Sequence, residues 1–396
     1  MTIRLFDENP YLINCTSNII NMEKNNDDIL ITLDKTIFFP ESGGQLSDKG
    51  WINDAKVLQV FEKDNIIYHK VDKDIPISTV ECKLDWVVRL DRMQQHCGEH
   101  ILSGVFLSLY NSRNHGFHMG EDYVTIDMDL KTISNEMIEK VEDAANKIIF
   151  NNNPIHFDIV DKSKADSLPL RKELKVDSNI RIVTIENVDC VACCGTHPNG
   201  TAEVGLIKII KAEKYKSMTR VYFNCGLRAL RDYQNKSKIV NDLCTIYSTD
   251  ENSIKSKALS QSEKIKELSQ ELKKIKNLLL KDEATEILKN ISYNSSIKND
   301  LEEFPITKVF LQDKSFEDIQ SLASFIMEDK KTVVFIASEK DKKILLAHDG
   351  TFNLHCGKIY KNTIKEYNGR GGGGDKIAQG SFESVDDLKN FFENIF

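Results

Sequence analysis

From about Ser253 to Lys289 the chain runs without a glycine or proline and is rich in Lys, Glu, Leu and Ser. Apolar residues fall at Ile254, Ala258, Ile265, Leu268, Leu272, Ile275 and Leu279, three and four apart, with Gln261 in the one polar gap. That spacing puts them on one stripe of a long helix and leaves little room for any other local structure. Two readings stay open: a coiled-coil hairpin or connector, and a single amphipathic helix on a domain surface. Either way, the helix divides the sequence into a longer N-terminal part and a C-terminal part of about a hundred residues.

The N-terminal part mixes strand and helix signals. Ile29, Leu30, Ile31 and Leu33 lead into Ile37, Phe38 and Phe39, a strand pattern that stops at the turn-rich Pro40-Glu41-Ser42-Gly43-Gly44. Met93, Ile101, Leu102, Val105, Phe106 and Leu109 predict a helix from about Asp91 to Tyr110, and a second is expected from about Asn135 to Ile149. Ile180 to Ile185, Val204 to Ile210 and Val221 to Phe223 read as strands. In the C-terminal part Thr332 to Ala337 and Ile344 to Ala347 read as strands, and Phe316 to Met327 and Val385 to Phe396 as helices. A glycine-rich stretch, Gly369 to Gly374, reads as a loop.

Hydrophobic residues at 40% and charged residues at 29% exclude wholesale disorder. No apolar run reaches the ~18–20 residues of a membrane helix, and the N-terminus lacks a signal-peptide pattern, so a cytoplasmic protein is expected. Nine thinly spread cysteines do not make a disulfide framework. A net charge of −8 argues against a uniformly basic coat but leaves room for a local basic face.

Two short segments carry chemistry. His96 and His100 lie four apart in the predicted helix, on one face, where both imidazoles can reach one ion. Cys193-Cys194-Gly195-Thr196-His197 sets a thiolate and an imidazole on a glycine-containing loop. Together they supply four nitrogen and sulfur donors, a set that suits one tetrahedral zinc per chain. Cys190 and Cys194 remain rival thiolates, since Cys190 and Cys193 also form a CxxC pair.

Several segments, in collinear order, resemble alanyl-tRNA synthetase. Phe38 to Gln45, followed by Asp48 and Gly50, resembles the strand-turn signature of its editing domain. Met93 to Ser103 resembles the HxxxH helix, Asp189 with Cys193 to His197 the CGGTH loop, and Tyr222 to Ala229 the closing strand and turn. Gly371 to Gly380 resembles the glycine-rich stretch of the DHH-associated C-terminal domain. Cys194 and Pro198 depart from the usual glycine and valine of the loop. The overall pattern is similar to the long-form AlaX family of free-standing editing factors, and with the short segment before Phe38 no aminoacylation activity is expected.

The resemblance implies an α+β fold: a β-rich N-terminal part (residues 1–90), a zinc-binding editing domain (91–240), a helical or coiled-coil connector (250–292) and a small α/β C-terminal domain with a Gly-rich loop (300–396). It implies hydrolysis in trans of mischarged tRNA(Ala), carrying serine or glycine, with His96, His100, Cys193 and His197 as zinc ligands. Thr36 is expected to read the small side chain and Gln45 to position the ester. Glu99 also makes the helix an HxxEH motif, in which it would act as general base. Arg92, Arg171, Lys172, Lys208, Lys211, Lys214, Arg220, Arg370 and Lys376 are candidate tRNA contacts. A homodimer through the C-terminal half is a further expectation. Two rival functions remain: a non-catalytic tRNA-binding protein with structural zinc, and an HxxEH metalloprotease.

Overall fold

The computed structural model describes residues 2–25, 28–174, 179–290, 296–299 and 302–396. It falls into two compact units, Met1–Leu243 and Cys244–Phe396, in an α+β chain.

The first unit opens with a closed antiparallel barrel. Its strands follow each other around the ring as Asn14–Asn25, Asp28–Leu33, Ile66–Val71, Ala55–Lys63, Gly50–Ile52 and Thr79–Leu84. The alternation buried-exposed along Thr79–Leu84 and Ala55–Val57 is what a barrel wall requires, one face inward and one to solvent. The long strand expected through Phe39 instead stops at Leu33, with only Lys35–Thr36 beyond it. Asp34 is the cause: its carboxylate accepts from Ser17 Oγ and from the backbone N–H groups of Asn18 and Lys35, replacing ladder bonds. Ile37, Phe38 and Phe39 then turn into the barrel core, where all three are buried.

A 25-residue helix, Trp86–Tyr110, follows. It starts five residues before the predicted boundary because Asp85 caps it, accepting from the N–H groups of Val87 and Val88. Every residue from Arg92 to Phe106 is buried, so the helix is the spine of the unit. Helix Asn135–Asn151 packs beside it. A four-stranded antiparallel sheet, ordered Ile207–Tyr215, Met218–Cys225, Val124–Met128 and Asn114–Met119, covers the shared core. The predicted strand Val204 to Ile210 starts later, because Thr201–Val204 is a 3₁₀ turn and Gly205 adopts φ +79°. A three-stranded antiparallel sheet, Ile155–Val160, Ile180–Ile185 and Asp189–Ala192, completes the unit.

The second unit holds a six-stranded sheet with helices Phe316–Asp329 and Val385–Asn394. The long helix, Ile254–Asn290, belongs to it through Ala284, Ile287 and Leu288, which pack in the core beneath Phe316–Asp329. Farther up, its heptad residues Leu268, Leu272, Ile275 and Leu279 stand exposed.

The glycine-rich segment corrects the loop reading. Gly369–Gly373 is a strand, paired antiparallel with Ile377–Phe382. Glycines are required because the partner comes so close: a Cβ at Gly373 would lie 2.1 Å from Ile377 O, and one at Gly371 2.4 Å from Gln379 O.

Candidate metal centre

His96 and His100 leave the spine helix on one face, as their spacing requires. The strand Asp189–Ala192 ends just before Cys193, and the turn after it brings His197 back to the same point. One donor atom from each of His96, His100, Cys193 and His197 lies within 4.8 Å of the other three. Cys193 Sγ is 3.2 Å from His96 Nε2 and 3.4 Å from His197 Nε2. Donor atoms on a tetrahedral zinc sit about 3.3–3.6 Å apart, given the usual Zn–N and Zn–S lengths. The geometry and the N₃S donor set therefore fit a zinc-like ion. The rival thiolates fall away: Cys194 is exposed, and Cys190 Sγ accepts from Thr184 instead.

Each histidine that presents Nε2 needs its Nδ1 proton held elsewhere. His100 Nδ1 donates to Asp189 Oδ2 at 2.8 Å. Asp189 is gripped in turn by Arg171, whose Nε and Nη2 donate to its two oxygens at 2.6 and 3.0 Å. His96 Nδ1 donates to Gln45 Oε1 at 2.8 Å, and the same oxygen accepts from Thr196 N–H. Gln45 Nε2 donates to Thr196 Oγ1, which fixes the amide orientation. Such carboxylate and carbonyl partners set the tautomer and aim of a metal-binding imidazole. His197 Nδ1 is buried without a partner among the described residues.

Gln45 reaches His96 from the barrel. Its turn is closed by reciprocal backbone bonds between Ser42 and Gln45, with Gly43 and Gly44 at φ +58° and +86°, a conformation glycine adopts without strain. On the opposite side Gly195 lets the loop lie against His96, since a Cβ there would sit 2.3 Å from His96 Cε1.

The charges follow from burial and neighbours. Burial opposes the Cys193 thiolate, but His96 and His197 beside it and bonds from His100 and His197 hold its pKa well below the usual thiol range. Burial drives His197 down to about 3, which keeps its imidazole neutral and able to ligate. Burial also opposes the Glu99 carboxylate, yet the fields of Arg171, His100 and Lys172 and the Ser103 bond bring it down to about 2.

The remaining expected site residues are distributed unevenly. Glu99 is buried with Oε1 accepting from Ser103 and Asn114, while Oε2 lies 3.8 Å from His100 Nε2. Thr36 is fully buried on the short strand Lys35–Thr36, which pairs with Ile3–Arg4 outside the barrel ring. Ile31 O can only accept, so His69 Nδ1 donates to it; His69 Nε2 then accepts from the Thr36 hydroxyl, which itself accepts from Phe38 N–H. Gln45 serves His96 and Thr196. Arg171 is corrected: it is buried and committed to Asp189, because the adjoining strand brings an acid against it, and it cannot face a phosphate. Lys208 and Lys211 are exposed but paired with Glu142 and Glu213, and Arg220 is bidentate to Asp127. Lys172, Lys214, Arg370 and Lys376 are exposed. Arg92 is buried.

Sequence reasoning assigned no role to Asp189, Asn114 or Thr196. Asp189 carried the one usable signal, an acid four residues ahead of Cys193. An HxxEH metalloprotease calls for a downstream glutamate as third ligand; the donor group found among the described residues contains none.

Among the described residues no helix is long and apolar enough to cross a membrane. Residues 180–222 match the family described as threonyl and alanyl tRNA synthetase second additional domain. The alanyl-tRNA editing protein AlaX-L of Pyrococcus horikoshii is 32% identical over 403 aligned positions, covering 97% of this chain and 95% of that protein. The alanyl-tRNA editing protein Aarsd1-A of Xenopus laevis is 32% identical across 51% of this chain and 50% of its own length. The alanine–tRNA ligase of Methanobrevibacter smithii is 28% identical across 91% of this chain but only 41% of the ligase. With near end-to-end coverage at that identity, and with the SGGQ turn, the HxxxH helix and the Cys-His loop meeting at one point, the chain belongs to the long-form AlaX family of alanyl-tRNA editing proteins.

Proposed function

We propose that this chain is a trans-acting editing hydrolase that cleaves the ester joining serine or glycine to tRNA(Ala), with one zinc ion held by His96, His100, Cys193 and His197. The observation that carries the reading is the convergence of four N and S donors within 4.8 Å, backed by Gln45 and Asp189. The relatives named as alanyl-tRNA editing proteins support the substrate class.

When bound, zinc supplies Lewis acidity and an anchor for the substrate's polar groups. The chain's own residues do the rest. Asp189 and Gln45 hold the Nδ1 protons of His100 and His96 away from the donor cluster, so both Nε2 atoms face inward. Against burial, Asp189 and the Cys193 thiolate raise His100 to about 10, and its Nε2 proton must leave for His100 to ligate. Arg171 holds Asp189 in place. We assign to Glu99 Oε2, 3.8 Å from His100 Nε2, the hydrogen bond from attacking water; with its carboxyl held down to about 2 it is a weak base, so it acts by orienting the water more than by keeping the proton. An aminoacyl ester is intrinsically labile, so positioning supplies much of the rate.

A second reading has one observation in its favour. Four protein donors close a tetrahedral shell, as in structural zinc sites, whereas catalytic zinc keeps an open position. In that case the chain would bind tRNA without cleaving it.

Incubation with Ser-tRNA(Ala), Gly-tRNA(Ala) and Ala-tRNA(Ala) separates the two. The expected result is release of serine or glycine and sparing of alanine, with Glu99→Gln slowed and its metal retained. Tight tRNA binding with no deacylation of either mischarged species overturns the hydrolase.

A further inference from the structure

A cavity of about 250 Å³ opens where the first turns of Trp86–Tyr110 and Gly226–Tyr247 meet, and Arg92, Arg228 and Arg231 all line it. Three arginines around a small cavity call for a count of their counter-charges. Arg228 is bidentate to Asp91, at 2.7 and 2.6 Å, and also donates to Gly120 O. Asp48 is taken by Arg89. Both carboxylates near Arg92 are thus already engaged by another arginine. Arg92 itself is only 6% exposed, and its Nη1 is buried with no hydrogen-bond partner among the described residues. Arg231 adds an exposed cation, and the exposed Glu121 is the one remaining acid on the lining.

A buried guanidinium nitrogen without a partner is costly to keep, and the nearby acids Asp48 and Asp91 are bonded to its neighbours. The start of the 22-residue helix Gly226–Tyr247, with Leu227 and Arg228 on the lining, adds the positive end of a helix dipole. The cavity is therefore a positively biased pocket whose missing component is an anion. Its position says which. Arg92 lies four residues before His96, one helical turn and about 6 Å of rise away, on the face that carries both donor histidines.

We infer that this cavity is a phosphate subsite that holds a phosphodiester of the tRNA acceptor strand near its 3′ end, next to the ester presented at the metal centre. The inference rests on the editing reading for the identity of the RNA. Arg92 is the buried arm of the subsite and Arg231 the exposed arm. A guanidinium fork matches a phosphate's paired oxygens, which accounts for arginine rather than lysine here.

The test measures binding of uncharged tRNA(Ala) over a range of salt concentrations, so that hydrolysis plays no part. Two RNAs are compared, one intact and one lacking its three 3′-terminal nucleotides. Arg92→Met is expected to weaken the intact tRNA about tenfold, the loss of one charge-assisted contact, and to lower the salt slope by about 0.7. The truncated tRNA should bind wild type and variant alike. Thermal unfolding of Arg92→Met should be unchanged or raised, because an unpaired buried charge has gone. Arg92→Lys should keep the slope. If Arg92→Met misfolds, Arg231→Ala carries the same comparison from the surface. Equal loss for both RNAs, or no loss for either, overturns the subsite. A wild type that shows this binding pattern but deacylates nothing removes the hydrolase reading and leaves the subsite standing.

Discussion

Asp189→Asn tests the residues behind the proposed metal donors with almost no change of shape. Asp189 accepts three charge-assisted bonds: His100 at 2.8 Å, and Arg171 at 2.6 and 3.0 Å. An asparagine has one acceptor oxygen. In either amide orientation its NH₂ must face a donor, His100 and Arg171 Nη2 on one side or Arg171 Nε on the other. At least one bond becomes a donor–donor contact, and bonds of this kind are worth about 1.5–3 kcal/mol each. Arg171 is left buried with Glu99 at 3.5 Å as its other acidic neighbour. Removing one partner of such a buried pair costs about 3–5 kcal/mol, a sizeable part of the ~5–15 kcal/mol that holds a typical protein folded. Metal affinity should fall about 10–100-fold, because the His100 tautomer is no longer enforced. Zinc competition against a fluorescent chelator gives the affinity, and urea unfolding of the metal-free protein gives the stability. An Asp189→Asn protein that matches wild type in both would refute the Arg171–Asp189–His100 relay.

Three further outcomes follow from particular side chains. Cys193→Ser should abolish stoichiometric metal binding by elemental analysis, while Cys190→Ser and Cys194→Ser retain it; equal loss in all three would mean the thiolate has been misassigned. His69 is fully buried and burial pushes it down to about 4, against an ordinary value near 6.5. Below pH 6.5 the unfolded chain takes up a proton that the folded chain refuses, so this stability is full above pH 6.5 and declines toward pH 4, with about 2 kcal/mol gone by pH 5. The difference in urea stability between wild type and His69→Asn should narrow by that amount from pH 7 to pH 5, and a constant difference would contradict it. Leu268, Leu272, Ile275 and Leu279 leave an exposed apolar stripe on Ile254–Asn290 that a second copy of the chain can cover; light scattering is expected to give a dimer mass, with Leu272→Glu shifting it toward monomer, and a wild-type monomer at every concentration would count against it.

The four candidate metal donors are legible because each pair is local. A spacing of four on a helix, and of four across a glycine loop, is enough to place two donors together without knowledge of the fold. The partners behind them were not legible, because they join residues 51 and 89 positions apart. Gln45 was read as a substrate contact because its turn was visible, but that the turn abuts His96 depends on how the barrel docks. Arg171 was read as surface for a similar reason. Charge in a sequence predicts exposure unless an acid from another strand meets it, and nothing near Arg171 in the chain announces Asp189. The glycine run shows the opposite failure. Glycines read as a loop, yet here they allow a strand to approach its neighbour more closely than any side chain would permit.

The docking of the barrel explains why the SGGQ turn and the donor helix act as one unit. Gln45 meets His96, and Asp48, three residues on, meets Arg89, seven residues and about two helical turns before His96. Arg89 is completely buried and also donates to Ile37 O, while Asp48 accepts from Phe39 N–H. The turn is therefore pinned to the helix at two points. The Arg89–Asp48 pin sets where the barrel sits, and the Gln45–His96 pin sets how a metal donor is aimed. A one-residue shift in either segment would carry Gln45 off His96 or Asp48 off Arg89, leaving a buried polar group without its partner. Barrel and helix must accordingly be docked before His96 is correctly oriented. The residues between Phe38 and Gly50 that look like a binding signature are thus, in large part, the fastening that makes the His–Cys donor cluster a single geometry.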